Sequence, residues 1–486
     1  MKKAKIMVIG IGPHARRIYV PSILRLAKKY PVELCVGVDL ESSKDTIEGY
    51  LSKQNIALEM HYVDTVDKSG NLSKQTVNSL DGIIKSKQIN GVIIATDPLT
   101  HKSYANWALS RNLNILMDKP ITSRRNVTTA RSQAVGIFSD YKDLLKKYKR
   151  LQTKQSTIFS INTQRRYEVG YKKVMELIRE VALKFNAPIT SIQAMHSDGV
   201  WIFPDEIVEQ TVHPYSRGYG KCSHSGYHLF DIIWQFYKAG KINDKFANRG
   251  EAFTSFLMPT GLLKQFTHQD YERYFGNKYN EVKRRSVKEL NNAYKTYGEI
   301  DAFSVIRFLQ NKTNVCNVSI NLLHNSFSRR SWVKPAKDLY KGNGRVKHQY
   351  YFIQQGPFQC IQIHNYQSNS VQNSQTEKDY ELGGDNHFDI YVFRNKKMFG
   401  NIKTVQRLSL RDLKREGKIK AGRLYHEQAK DLVIIEFINF IVGKINKRDL
   451  VSNIDSHEEA VKIMSSIYQS HISQTTEGNP ISRFKL

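Results

Sequence analysis

Cysteine is scarce. Four residues, Cys35, Cys222, Cys316 and Cys360, are scattered over 486 positions. That excludes a disulfide framework, offers no CxxC pair for zinc, and fits a reducing cytoplasm. Twelve prolines and 28 glycines exclude collagen-like or proline-rich architecture. No apolar run is long enough to cross a bilayer, which takes about 20 residues. The longest late run, 432–442, contains Glu436 and Asn439 and reads as an amphipathic helix. Lys2, Lys3 and Lys5 precede the apolar residues 6–10, but this run is too short for a signal peptide and no cleavage site follows it.

Acidic residues are also few. Asp and Glu number 45 against 74 Lys and Arg, a net charge of +29. The excess favours anionic ligands, a membrane surface or nucleic acid, or simply makes a solvated basic surface. No zinc-finger, RRM or KH signature is present, and the basic clusters at 146–150, 283–288, 329–347 and 414–420 are dispersed. Nucleic acid is therefore not an expected partner.

What is present is a pattern of short apolar strands alternating with helical segments. Residues 5–10, 32–39, 91–96, 113–117 and 156–161 read as buried strands, with a helix over 102–111. Such alternation indicates βαβ units and a parallel sheet. The helix after the first strand carries Val20, Ile23, Leu24 and Ala27 on one face, and Pro21 is expected to kink it. From about residue 166 the character changes. Residues 301–310, 315–323, 358–366 and 388–393 read as strands of an antiparallel or mixed sheet, and 426–445 and 457–470 as closing helices. Segments 259–300 and 328–347 have weak periodicity and read as insertions or long loops. The fold class is α/β: an N-terminal Rossmann domain with a parallel sheet over 1–165, then an α/β domain with a large open mixed sheet over 166–486.

Gly10-Ile11-Gly12-Pro13-His14-Ala15 follows the first strand and opens a helix. Gly10 permits a tight turn, Gly12 leaves space for a pyrophosphate, and Ala15 allows close helix–strand packing. Pro13 suits the first helical turn, whose N–H groups face the phosphates. The second strand ends in Asp39, where an acid hydrogen-bonds the adenosine ribose. A carboxylate there disfavours the 2′-phosphate of NADP, so NAD is the expected cofactor, while nearby Lys44 keeps NADP open. Ala95-Thr96-Asp97-Pro98-Leu99-Thr100-His101 and Asp118-Lys119-Pro120 close two further strands, where ligands bind in open α/β sheets.

These pieces resemble the glucose–fructose oxidoreductase / inositol dehydrogenase (Gfo/Idh/MocA) family. Its Glu-Lys-Pro appears here as Asp118-Lys119-Pro120, and its Ala-Thr…His stretch as Ala95-Thr96 with His101. Residues 162–166, which include Arg165, resemble its crossing between domains. Gly226, His228 and Asp231 match its Asp-x-Gly-x-His-x-x-Asp segment, but His224 replaces the first aspartate. The resemblance implies an NAD(P)-dependent enzyme that moves a hydride between nicotinamide and a hydroxyl or ketone of a sugar, cyclitol or sugar derivative. It also implies a small-molecule substrate, anionic in view of the charge excess, and a homo-oligomer.

In that scheme Lys119 hydrogen-bonds the substrate oxygen and His228 is the acid/base. His224 and Asp231 orient His228 or the substrate, and Arg165 and Asp231 contact the substrate. Gly10, Gly12, Pro13, His14, Ala15, Asp39, Thr96, His101, Asp118 and Lys119 hold the cofactor. Read from the residues alone, Asp231 instead falls in a first helical turn, where a carboxylate favours the helix end. Zinc ligation by Cys222, His224, His228 and His213 is a rival reading, weakened because Gly226 interrupts a helical His-x3-His pair. No metal is expected. The alternative to an enzyme is a catalytically inactive dinucleotide-binding regulator or assembly protein of the same fold, suggested by His224 and the basic insertions.

Overall fold

The computed structural model describes residues 2–67, 70–336, 339, 342–368, 387–400, 402–409, 412–413, 425–476 and 478–486. The basic cluster 414–420 and part of 329–347 lie outside them. The chain divides into two compact units. The first comprises 1–123, 137–168 and 425–461, and the second 124–136, 169–424 and 462–486. The sequence pattern suggested one break at 165/166, whereas both units are discontinuous in sequence.

The first unit is built on a six-stranded parallel sheet of β1 (Ala4–Ile9), β2 (Val32–Leu40), β3 (Met60–Val63), β4 (Gly91–Ile94), β5 (Asn114–Met117) and β6 (Phe159–Ile161). Its order is β3-β2-β1-β4-β5-β6, the doubly wound dinucleotide-binding order. The strand direction of winding reverses between β1 and β4, so a crevice for ligand is expected at their carboxyl ends. The central strands β1, β4 and β5 are mostly apolar and buried because both sheet faces are covered there. Ile6, Val8, Ile93 and Leu116 pack with Ala15, Tyr19 and Val20, and with Val433, Ile434, Phe437 and Ile438 of the helix Tyr425–Ile441. That late helix has apolar residues on several sides because it is a core element of this unit.

The helix after the glycine turn is broken into Pro13–Arg17 and Tyr19–Leu26. The break falls at Ile18, not at Pro21 itself. Pro21 has no N–H for the Arg17 carbonyl and its ring crowds that carbonyl, so the disruption appears one turn upstream.

The second unit holds a nine-stranded mixed sheet: β7 (Ser191–Gly199), β8 (Arg249–Leu257), β9 (Asp301–Gln310), β10 (Thr313–Leu323), β11 (Val346–Gln355), β12 (Gln359–Ser368), β13 (His387–Arg394), β14 (Val405–Ser409) and β15 (Ser482–Lys485). The order is β14-β13-β12-β11-β7-β10-β9-β8-β15. β7 and β10 pair in parallel, and the other neighbours are antiparallel. Alternation along β9 buries Ala302, Ser304, Ile306 and Phe308 on one face and leaves Phe303, Val305 and Arg307 outward.

Segment 259–300 is not a long loop. It forms helices Pro259–Gln265, His268–Phe275 and Val287–Tyr294, with a tight turn at Gly276–Glu281. Capping boxes at Thr267/Asp270 and Ser286/Glu289 start two of them. Their apolar sides pack Leu262, Leu263, Leu290, Tyr294 and Tyr297 against Val200, Ile202 and Tyr215. Arg330, from the other basic segment, is buried on Glu206 at 2.6 Å and lies over the Phe203 ring. Among the described residues, no helix is long and apolar enough to cross a membrane.

Candidate active site

In the first unit, the sequence-predicted ligand residues gather at the carboxyl ends of β1, β2, β4 and β5. Gly10 has φ +91, and a Cβ there would lie 2.6 Å from the Ala95 carbonyl oxygen, so both backbone conformation and space demand glycine. Gly12 differs. Its backbone is extended, and a Cβ on it would meet no protein atom within 4 Å. The protein's own packing does not require glycine at position 12, but a group seated over the turn would. Pro13 is the first helical residue, no acid lies in this helix's first turn, and Ala15 is fully buried. These features suit a dinucleotide pyrophosphate.

Asp39 is fastened to the turn. Its Oδ2 accepts from the Ile11 N–H at 2.6 Å and its Oδ1 from the Leu40 N–H at 2.7 Å. The carboxylate thus fixes the loop's shape in addition to placing negative charge at the end of β2. Lys44, the residue that kept NADP open, sits 3.8 Å from Glu41 and over the Tyr62 ring.

At the end of β4, Thr96 Oγ1 accepts from the Thr100 hydroxyl at 2.8 Å, and Asp97 caps the helix Pro98–Ser110 through the Leu99 N–H. His101 is fully buried. Its Nδ1 lies 2.9 Å from the Pro120 carbonyl and its Nε2 3.1 Å from that of Thr96. Burial holds its pKa below the usual histidine value. A neutral ring donates to one of these carbonyls.

Asp118 is the centre of a polar cluster absent from the sequence reading. Its Oδ1 accepts from the Tyr19 hydroxyl at 2.5 Å and from Asn162 Nδ2 at 3.0 Å, and Asn162 also donates to Tyr19 Oη at 2.6 Å. His14 Nε2 is 3.9 Å from the same oxygen. Burial, then the Asp118 charge, push the Tyr19 hydroxyl well above its usual pKa, so it remains a donor. Lys119 follows directly and is half-buried. Arg165 is buried in the turn Gln164–Tyr167; its neighbour Arg166 bonds Val451 and Ser456 within the same unit.

In the second unit, Cys222–Gly226 forms a π-helical turn that runs directly into the helix Tyr227–Ala239. Such wide turns recur at functional sites. Two expectations are corrected by it. Gly226 does not interrupt the helix; it lies inside it, where a Cβ would press on the Leu322 side chain at 2.6 Å. Asp231 is not in a first turn, because the π-turn extends the helix backwards; it is fully enclosed. His228 is 9% exposed, and its Nδ1 has no hydrogen-bond partner among the described residues.

His224 stands in an aromatic cage of His213, Tyr215 and Tyr219, with ring centroids 4.7, 5.7 and 5.4 Å away. His213 has φ +54, an uncommon conformation for a non-glycine residue. Tyr215 Oη bonds His324 Nδ1, and burial, then Lys221, hold His324 well below the usual histidine pKa. Asp198 is also enclosed. Burial works against its charge, but Arg345 and Lys221, the latter at 2.6 Å, outweigh it and hold the carboxyl well below its usual range. No group of three or more His, Cys, Asp or Glu residues has metal-ligand geometry among the described residues. His213, His224 and His228 therefore gain no zinc reading from the structure.

Residues 5–141 match the profile of the Gfo/Idh/MocA oxidoreductase family, described as an NAD-binding Rossmann fold. Over these residues the chain is similar to the NAD-binding Rossmann domain of the Gfo/Idh/MocA oxidoreductases. No curated protein matches its sequence. Solved structures similar to it in fold include an NAD-binding oxidoreductase from Klebsiella pneumoniae, with a TM-score of 0.58 and 11% identity over 99% of this chain and 98% of that one. Scyllo-inositol dehydrogenase from Lactobacillus casei, solved with NAD(H) and scyllo-inositol, gives 0.55 and 12% over 99% of each chain. Aldose–aldose oxidoreductase from Caulobacter crescentus gives 0.55 and 11% over the whole of both. The likeness in fold to these structures thus covers the second unit as well as the first.

Proposed function

We propose that the protein is an NAD-dependent oxidoreductase acting on a hydroxyl or ketone of a sugar, cyclitol or sugar derivative. The observation that carries this is the turn Gly10–Ala15 at the end of the first strand, where a Cβ on Gly12 would meet no described atom within 4 Å. The family profile over the same residues and the sugar and cyclitol enzymes of the same fold support it. Asp39 at the end of β2 supports NAD over NADP. NAD, when bound, supplies the hydride acceptor, or as NADH the donor.

The chain's own groups handle the proton and the charge. Lys119 donates to the substrate oxygen and stabilises negative charge developing there. His228 takes the hydroxyl proton in oxidation and returns it in reduction. His224 has no carboxylate charge with which to raise the basicity of His228, so its part is to hold the substrate or the histidine in place. Asp231, fully enclosed, orients His228 or the substrate.

The substrate is anionic in this reading. The net charge of +29 and the pairing of both Lys221 and Arg345 with the single carboxylate of Asp198 support that. A homo-oligomer formed through the outward sheet face is supported by Phe253, Phe303 and Val305, which are 36, 49 and 36% exposed on adjacent strands. Four free cysteines suit a cytoplasmic setting. The test is oxidation of NADH with a panel of keto-sugars, keto-inositols and their acidic derivatives. Consumption with a member of the panel supports the reading. Tight NAD binding with no turnover across the panel favours the inactive regulator.

A further inference from the structure

Three consecutive residues at the start of the π-turn are each fastened by a buried side chain of the second unit. Lys221 Nζ donates to Asp198 at 2.6 Å. The Cys222 N–H donates to Glu299 Oε1 at 2.7 Å. Ser223 Oγ lies 2.9 Å from Tyr468 Oη, and the Tyr468 hydroxyl donates to the same Glu299 Oε1 at 3.0 Å. The Glu299 carbonyl also accepts from the Lys221 N–H at 3.0 Å. One residue therefore satisfies the first two N–H groups of the helix, once with its backbone and once with its carboxylate.

The surroundings are built for this contact. A Cβ on Gly220 would overlap the Glu299 carbonyl, and one on Gly298 would overlap the Tyr219 backbone, so the two chains touch directly. Glu299 is fully buried, and its second oxygen, Oε2, has no hydrogen-bond partner among the described residues. A buried carboxyl with half its hydrogen bonding unmet is costly. It serves no core-packing purpose that a leucine would not serve at lower cost. His224 comes one residue after Ser223, and His228 one helical turn later.

We infer that Glu299, with Tyr468, is a positioning residue: it anchors the first turn of the π-helix and thereby sets the direction in which His224 and His228 present their rings. It acts through the helix backbone and touches no reacting atom. The π-turn makes this anchor consequential. Its hydrogen bonds skip one residue relative to an α-helix, so a start that slips to the α register rotates every later side chain by roughly 100°. The first N–H groups have no acceptor within the helix, so by holding those of Lys221 and Cys222 Glu299 fixes where the helix starts. The inference rests on the reading of His228 as the acid/base only for its kinetic consequence.

The experiment compares Glu299→Ala, Glu299→Gln and Tyr468→Phe with the full-length wild type. The amide oxygen of glutamine still accepts from Cys222 N–H and Tyr468, so Glu299→Gln is the conservative rescue. Two readouts are taken: imidazole nitrogen NMR resonances of His224 and His228, and kcat, KM and NAD affinity under NADH-consuming conditions. Glu299→Ala is expected to move both imidazole signals and to lower kcat about 10–100-fold, the scale of a displacement near 1 Å. NAD affinity and KM should stay within about threefold. Glu299→Gln should restore the signals and most of kcat, with Tyr468→Phe between. Imidazole signals unmoved in Glu299→Ala, or moved as far in Glu299→Gln as in Glu299→Ala, overturn the inference. If no protein turns over substrate while the signals move as expected, the functional reading fails and the positioning role stands.

Discussion

The Tyr19 hydroxyl donates to Asp118 Oδ1 at 2.5 Å, so a residue of the broken first helix holds the acid that immediately precedes Lys119. The family motif carries glutamate at this place; the shorter aspartate is met here by Tyr19 and Asn162, which converge on one oxygen. Tyr19→Phe removes the shorter of these bonds and leaves the half-buried Asp118 with one donor fewer, at a cost of about 1 kcal/mol. The expected outcome is a lower melting temperature and reduced kcat, with NAD binding retained. Thermal melts and steady-state kinetics check it; an unchanged kcat removes Tyr19 from the site.

Asp39 is predicted to act twice. Asp39→Ala removes the acceptor of the Ile11 and Leu40 N–H groups and the charge that repels a 2′-phosphate. NAD affinity should fall by more than NADP affinity, narrowing or reversing the preference. Calorimetric titration of both cofactors decides it, and a wild-type preference for NADP would contradict the role given to Asp39.

Lys119→Ala and His228→Ala separate charge stabilisation from proton transfer. Loss of one preorganised donor costs about 10²–10³-fold in rate. Loss of the acid/base costs about 10²–10⁴-fold. Neither residue belongs to the glycine turn, so NAD affinity should change little. Steady-state kinetics across pH check both; variants that turn over like wild type would remove this mechanism.

Glu299 should leave a mark on stability against pH. Burial pushes its carboxyl up to about 7 from a usual 4.5. Between those values the folded protein holds a proton that the unfolded chain releases, so stability from this group is complete below about 4.5 and falls as pH rises through 7. Glu299→Gln removes that contribution. Its melting temperature should gain on the wild type as pH goes from 5 to 8, by about 2–4 °C for each kcal/mol recovered. A constant difference across that range would show that Glu299 is ionised when buried.

How much of this was legible in the sequence depends on the range of the interaction. β1, β4 and β5 were readable because runs such as Ile93–Ile94 are apolar on both faces and end at turn residues. The glycine turn was readable because its chemistry is local. The capping boxes at Thr267 and Ser286 were present in the sequence and would have revealed two helices of segment 259–300. The π-turn was not readable, since nothing in Cys222-Ser223-His224-Ser225-Gly226 distinguishes it from an α-turn. Asp39 bonding to Ile11 was not readable either: a strand-end carboxylate looks the same whether it accepts from a ribose or a backbone. The pairs Glu299–Tyr468 and Ile6–Phe437 join residues far apart in sequence, with no local trace.

The most direct measurement is calorimetric titration of NAD into the wild type and into Gly12→Val, each with its thermal melt. The valine side chain enters space that the protein leaves open, at a residue whose backbone is extended, so folding should be untouched. The account predicts saturable binding to the wild type, none to Gly12→Val, and matching melts. Absence of NAD binding to the wild type, or equal binding by the valine variant, would contradict it.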